Sequence, residues 1–195
     1  MSLNLGLIDY GMDNLHSVET CLQRLGERCR LIKSADQLDG IDALILPGVG
    51  AFDPAMANLR ATGLVPHLMS WGEDNRPLLG ICLGLQLLFE HSDEGRDPGL
   101  GLLSGRVERL PEGRGERIPH MGWAPLKHRG NCPLLDADTT SQWVYFVHSY
   151  AAVPSDRNDL RATAAFGDQE VTAMVWRGRL GACQFHPEKS SDAGE

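Results

Sequence analysis

A chain of 195 residues, 42% hydrophobic and 23% charged, has the composition of one globular domain (1–195) with room for a sizeable core. Its formal net charge of −8 speaks against general nucleic-acid binding, which calls for a basic face, and leaves small-molecule substrates open. The five cysteines (Cys21, Cys29, Cys82, Cys132, Cys183) include no CxxC pair, and no stretch reaches the ~18 apolar residues of a membrane span, so a reducing, cytoplasmic setting is expected.

Residues 3–8 form a short apolar strand that ends at Asp9-Tyr10-Gly11. Leu15, Val18, Cys21, Leu22 and Leu25 then share one helical face, closed by Gly26. Further strands are predicted at 28–33 and 43–46, helices at about 54–60 and 64–73, and a buried strand up to Gly80. Strand, helix, strand in this rhythm indicates parallel pairing. Beyond Glu90 the pattern changes: 91–101 is turn-rich, 102–110 reads as a strand, and 110–117 is a Gly-, Glu- and Arg-dense loop. Short strands are predicted at 143–150, 160–166, 171–176 and 180–185, some of them antiparallel.

Two stretches carry chemistry. Gly80-Ile81-Cys82-Leu83-Gly84 lies between the buried strand and the helix marked by Leu85, Leu88 and Phe89, the thiol version of a nucleophile elbow. A side chain on so sharp a turn is pushed clear of the sheet, and a helix N-terminus there favours the thiolate. In Gln184-Phe185-His186-Pro187-Glu188, an extended backbone would place His186 and Glu188 on one face, where the carboxylate sets the imidazole's tautomer. Nucleophile, base and orienting acid are then Cys82, His186 and Glu188. A metal site of Cys183, His186 and Glu188 is disfavoured, because Cys183 should face away.

Pro47-Gly48-Val49-Gly50 follows a strand and precedes a helix, yet has neither GxGxxG nor a following Gly-Lys-Ser/Thr. It reads either as a tight turn or as a donor loop, in which the Gly50 and Leu83 N–H groups would face a developing oxyanion.

Together, these elbow and His-Pro-Glu motifs resemble those of the class I (triad) glutamine amidotransferases. Asp9-Tyr10-Gly11, Pro47–Gly50, Pro119-His120-Met121-Gly122-Trp123, Tyr145–Tyr150 and His186–Ser190 extend the likeness across residues 3–190. They narrow it to the branch that feeds ammonia to a cyclase in histidine biosynthesis. The resemblance implies an α/β fold: a three-layer open mixed sheet, mostly parallel with antiparallel edge strands, flanked by helices and flavodoxin-like. It implies that Cys82 attacks glutamine to give a γ-glutamyl thioester, with His186 as base and Glu188 orienting it. Gly50 and Leu83 would supply the oxyanion hole after a peptide rotation in the 48–50 strand, and Gln86, Ser149 and Tyr150 would hold glutamine. The implied partner is a (β/α)8-barrel cyclase, met as a heterodimer near Trp123, Tyr145 and Lys189; no cofactor, metal, nucleic acid or membrane is implied. The rival readings are a same-type amidotransferase serving another pathway such as surface-glycan synthesis, a cysteine-elbow peptidase or chaperone, and a regulatory subunit that has kept the fold.

Two departures from that family stand out. Asp13 occupies a position usually held by a small residue, where it could cap the following helix. Only seven residues follow Glu188, too few and too polar for the closing helix usual in the family: either the sequence is truncated, or another element covers that apolar surface, or, with the helix absent, an exposed patch is expected.

Overall fold

The apolar runs of the first half become parallel strands in a computed structural model that describes residues 3–112, 116–135 and 142–194. β1 (Leu5–Ile8), β2 (Cys29–Ile32), β3 (Ala43–Leu46) and β4 (Leu78–Ile81) pair in parallel in the order β2-β1-β3-β4. The helix α1 (Leu15–Arg24) connects β1 to β2, α2 (Phe52–Ala61) and α3 (Val65–Glu73) connect β3 to β4, and α4 (Leu83–Leu87) leaves β4 one residue after it ends.

The second half contributes β5 (His91–Ser92), β6 (Gly105–Arg109), β7 (His120–His128), β8 (Trp143–His148), β9 (Tyr150–Pro154), β10 (Leu160–Phe166), β11 (Gln169–Arg177) and β12 (Leu180–Cys183). Among the described residues the large sheet has nine strands in the order β2-β1-β3-β4-β12-β11-β10-β7-β8, and β5-β6-β9 form a smaller one. The strand that closes the parallel set is β12, which runs alongside β4 with Leu180 opposite Leu78 and Cys183 opposite Ile81. From β12 outward every pairing is antiparallel, which gives the mixed α/β sheet expected from the motifs.

Alternation along the strands feeds two cores. Ile8, Leu44, Leu46 and Leu78 point towards α2, α3 and α4, where Phe52, Met56, Leu68 and Leu85 are buried. Leu7, Ile45, Ile81 and Cys183 point the other way, onto Val18 of α1 and Phe146 of β8. Each fully buried side chain of this kind contributes roughly 1.5–3 kcal/mol. On the α1 side an apolar groove of about 260 Å³ stays open between Leu22, Leu25, Leu126, Leu134 and Ala193. Leu25, placed on the buried helix face by its spacing, is therefore 45% exposed. No described helix is long and apolar enough to cross a membrane.

Three differences from the sequence reading have local causes. The strand β7 was not foreseen, because Gly122 and Pro125 interrupt it and its outward positions carry Met121 and Trp123. The run predicted at 143–150 breaks at Ser149, where the chain passes from the large sheet in β8 to the small one in β9. Asp13 is exposed and does not cap α1: the N-cap position falls on Asn14. The centre of the loop predicted at 110–117, residues 113–115, lies outside the described residues.

Candidate active site

Cys82 sits alone between β4 and α4 with φ 54° and ψ −111°, a backbone conformation that costs an L-residue energy and persists only where its surroundings enforce it. Enforcement comes from both sides. The Cys82 N–H donates to the Cys183 carbonyl at 2.8 Å, and its own carbonyl accepts from Leu85 N–H at 3.0 Å. Glycine is required next door, since a Cβ on Gly84 would stand 1.8 Å from the Leu46 carbonyl oxygen. The end of β3 thus presses directly on the elbow, and Tyr10 pins it there by donating its hydroxyl to the Pro47 carbonyl at 2.8 Å.

The imidazole arrives from the neighbouring strand. β12 lies beside β4, and the chain continues past Cys183 until His186 N–H donates to the Tyr145 carbonyl of β8 at 3.0 Å. His186 is extended (φ −98°, ψ 97°), but residues Pro187–Lys189 form a 3-10 turn. The His186–Glu188 pair is therefore made by a turn that Pro187 starts, and not by the i, i+2 alternation of a strand. The outcome is the same: His186 Nδ1 and Glu188 Oε1 are 2.7 Å apart, with side chains only 2% and 1% exposed. The other side of the ring faces the elbow, and His186 and Cys82 line the same pocket. Burial alone would lower the His186 pKa, but its interactions with Cys82 and Glu188 and the charge on both hold it up at about 9. Burial works to raise the Glu188 pKa, and the His186 hydrogen bond and charge, joined by the Asn14 amide, bring it below the usual range. Cys183 is buried in the same apolar cluster as Cys82 but outside the pocket lining, its thiol directed at the Phe185 and Gly80 carbonyls.

A pocket of about 330 Å³ opens above the sulfur, and it brings together Gly50, Cys82, Leu83, Gln86, Ser149, Tyr150 and His186. Glu188 stands behind His186, away from the lining. The Leu83 N–H donates to the Gly48 carbonyl at 3.3 Å, so one of the two expected oxyanion donors is engaged internally. Gln86 donates from Nε2 to the Tyr150 carbonyl at 3.0 Å and to Gln184 Oε1 at 3.1 Å. The Tyr150 carbonyl also meets His148 Nδ1 at 2.8 Å, which occupies both of its lone pairs. Ser149 accepts from Leu110 N–H at 2.9 Å and keeps one lone pair.

Five lining residues were not anticipated as site residues: Val49, Glu94, Pro119, Val147 and His148. Glu94 Oε2 accepts from the Phe52 N–H at 3.0 Å, and burial pushes its carboxyl pKa upward. It lies in a turn rich in acids, where no spacing distinguishes one carboxylate from its neighbours. His148 is buried, and its Nε2 is hydrogen-bonded to His120 Nδ1 at 3.3 Å, a pairing set by the β7–β8 register.

Trp123, Tyr145 and Lys189 do not line the pocket. Trp123 packs edge-on to Tyr145 across β7 and β8, ring centroids 6.0 Å apart, and is 49% exposed. Met121 and Trp143 extend this apolar surface, at 63% and 52% exposed. Lys189 is exposed on the turn that carries Glu188.

The family model "Glutamine amidotransferase class-I" matches residues 6–195. The chain is 81% identical to the imidazole glycerol phosphate synthase subunit HisH of Synechococcus sp. (strain CC9605), covering all of this chain and 92% of that protein. It is 68% identical to the subunit of the same name from Synechococcus sp. (strain CC9902), with the same coverage. Among solved structures, a glutamine amidotransferase superposes with a TM-score of 0.76 at 22% identity, covering 97% of this chain and 93% of that one. PurLQS from Thermotoga maritima superposes with a TM-score of 0.75 at 20% identity, covering 96% and 89%. These last two likenesses speak for the fold alone. Matched by its family pattern from residue 6 to its last, this chain belongs to the class I glutamine amidotransferases.

Proposed function

We propose that this chain is the glutaminase subunit of an imidazole glycerol phosphate synthase, acting without a cofactor in the cytoplasm. It hydrolyses glutamine to glutamate and passes ammonia to a (β/α)8-barrel cyclase (HisF) in a heterodimer that serves histidine biosynthesis. The observation that carries the reading is the buried His186–Glu188 pair whose imidazole shares a pocket of about 330 Å³ with Cys82, in a chain 81% identical to a protein of that name.

In this reading the Cys82 sulfur, its proton taken by His186, attacks the carboxamide carbon of glutamine. The tetrahedral intermediate collapses as its C–N bond breaks, and His186 returns the proton to the departing ammonia. The γ-glutamyl thioester is then cleaved by a water that His186 deprotonates, which releases glutamate and restores the thiol. Glu188 keeps Nδ1 protonated, so Nε2 is the nitrogen that works on the sulfur.

The substrate is an amino acid, and its α-ammonium needs an anion away from the sulfur. Glu94 is the lining carboxylate suited to that role, and the free lone pair on the Ser149 carbonyl adds an acceptor. Tyr150 serves by bracing Gln86 and His148.

The oxyanion hole is closed by the Gly48 carbonyl on Leu83 N–H. Rotation of the Gly48–Val49 peptide would free that donor and aim the Val49 N–H into the pocket beside Gly50. Such a rotation supports control by the partner, since one missing donor costs ~10²–10³ in rate. The apolar ladder of Met121, Trp123, Tyr145 and Trp143, with Lys189 nearby in sequence to Glu188, is the surface proposed to meet the cyclase.

The deciding experiment uses Cys82→Ala in the assembled synthase. Glutamine-dependent turnover should vanish while turnover with added ammonium persists. Glutamine hydrolysis by the variant, or loss of the ammonium-supported reaction as well, would overturn the assignment.

A further inference from the structure

Asn14 holds the N-cap position of α1, where an asparagine ordinarily keeps an extended backbone and accepts a helix N–H on its side-chain oxygen. Here it does neither. Its backbone is left-handed (φ 82°, ψ 1°), a region that Asn tolerates better than most residues, and its side chain makes no cap hydrogen bond. The side-chain amide instead leaves the helix and donates from Nδ2 to Glu188 Oε1 at 2.8 Å, across 174 positions of sequence. That oxygen is the one 2.7 Å from His186 Nδ1, while Glu188 Oε2 is buried with no hydrogen-bond partner among the described residues.

We propose that Asn14 is a positioning residue for the reaction: its amide fixes the Glu188 oxygen that orients His186, an inference that rests on the triad reading above. Two donors converge on one oxygen, so the carboxylate's rotation is set by Asn14 on one side and by the imidazole on the other. An amide suits the position because it orients the carboxylate without neutralising it. A lysine or arginine there would compete with the imidazolium for the negative charge. The titratable groups that face Glu188 are His186, to which it is hydrogen-bonded, and Cys183, whose thiol pKa is raised first by burial and then by the Glu188 charge.

Two variants test this, both assayed with the cyclase bound. Asn14→Gly keeps the left-handed backbone and deletes the amide, while Asn14→Asp keeps the shape and the capping ability but turns a donor into an acceptor facing Glu188. Asn14→Gly should lower kcat for glutamine hydrolysis about 10- to 100-fold with KM within about twofold. Asn14→Asp should lose more at about pH 8 and regain activity towards about pH 6, as the two carboxylates come to share a proton. If Asn14 merely shaped the turn, Asn14→Asp would retain the parent kcat and pH profile, and that result overturns the proposal. A rise in KM with kcat unchanged overturns it equally. Should Asn14→Gly fail to fold, Asn14→Asp decides alone. Glu188→Gln run in parallel separates the two levels. Full activity there would sink the triad reading itself, whereas loss there beside unaffected Asn14 variants would sink only this inference.

Discussion

The backbone N–H of His186 donates to the carbonyl of Tyr145 at 3.0 Å, so the candidate base hangs from the strand whose outer surface carries the exposed aromatics. Ser190 closes the connection. It is fully buried, its hydroxyl donates to the His186 carbonyl at 2.6 Å, and it accepts the Tyr145 N–H at 3.0 Å. Three hydrogen bonds thus couple β8 to the backbone of His186.

Ser190→Ala removes the middle of that connection: the Tyr145 N–H loses its Ser190 acceptor, while the His186 carbonyl keeps the Lys189 N–H. A stability loss of about 1–3 kcal/mol is expected in urea unfolding, the cost of an enclosed donor left without its acceptor. Glutamine turnover should fall with it. Unchanged unfolding and unchanged turnover would show the hydroxyl to be idle.

Trp123→Ala should leave the isolated chain as stable as its parent, within about 0.5 kcal/mol, because the indole is half exposed. Affinity for the cyclase, followed by titration calorimetry, should drop by about tenfold or more, as for an aromatic anchor at the centre of an interface. Parent-like affinity would move the docking surface elsewhere.

Gly84→Ala places a methyl 1.8 Å from the Leu46 carbonyl, a backbone atom that cannot swing aside. The elbow must shift, at a cost of about 3 kcal/mol or more. Denaturant midpoints measure the cost directly, and a fold as stable as the parent's would mean that β3 and the elbow are less tightly pressed together than the structure has them.

His148 gives stability a defined pH dependence. Burial pulls its pKa from 6.5 down to about 4, and the charges on His120 and His186 act in the same direction against the backbone hydrogen bond at Tyr150. The unfolded chain therefore binds a proton that the folded one refuses between those values. Stability is complete above about pH 6.5 and declines as pH falls towards about 4, by up to about 3 kcal/mol. His186 has the opposite sign: raised to about 9, it adds stability that is full below 6.5 and is lost as pH climbs through about 9. Urea titrations of the parent and His148→Gln at about pH 5 and 7 isolate the first effect, and an equal acid slope in both proteins would refute it.

Short-range spacing was enough to pick out the candidate site. Gly80-x-Cys82-x-Gly84 between an apolar strand and a helix specifies an elbow, because only glycine fits where the turn presses on β3. Pro187 between His186 and Glu188 brings the pair together, although by a 3-10 turn where an extended backbone had been expected. The first four parallel strands were legible for the same reason: each is a short apolar run whose burial depends on its own residues. Less legible were β7, interrupted by Gly122 and Pro125, and Glu94, one acid among several in a turn.

The sequence by itself determined which residues are able to act, since elbows, turns and strand faces are set by near neighbours. Only the tertiary structure decided which of them meet: the parallel pairing of β12 with β4 carries His186 to Cys82, and α1 delivers the Asn14 amide to Glu188. The reason is physical. A contact between distant segments depends on how strands order and register within the sheet, and no local spacing encodes that order.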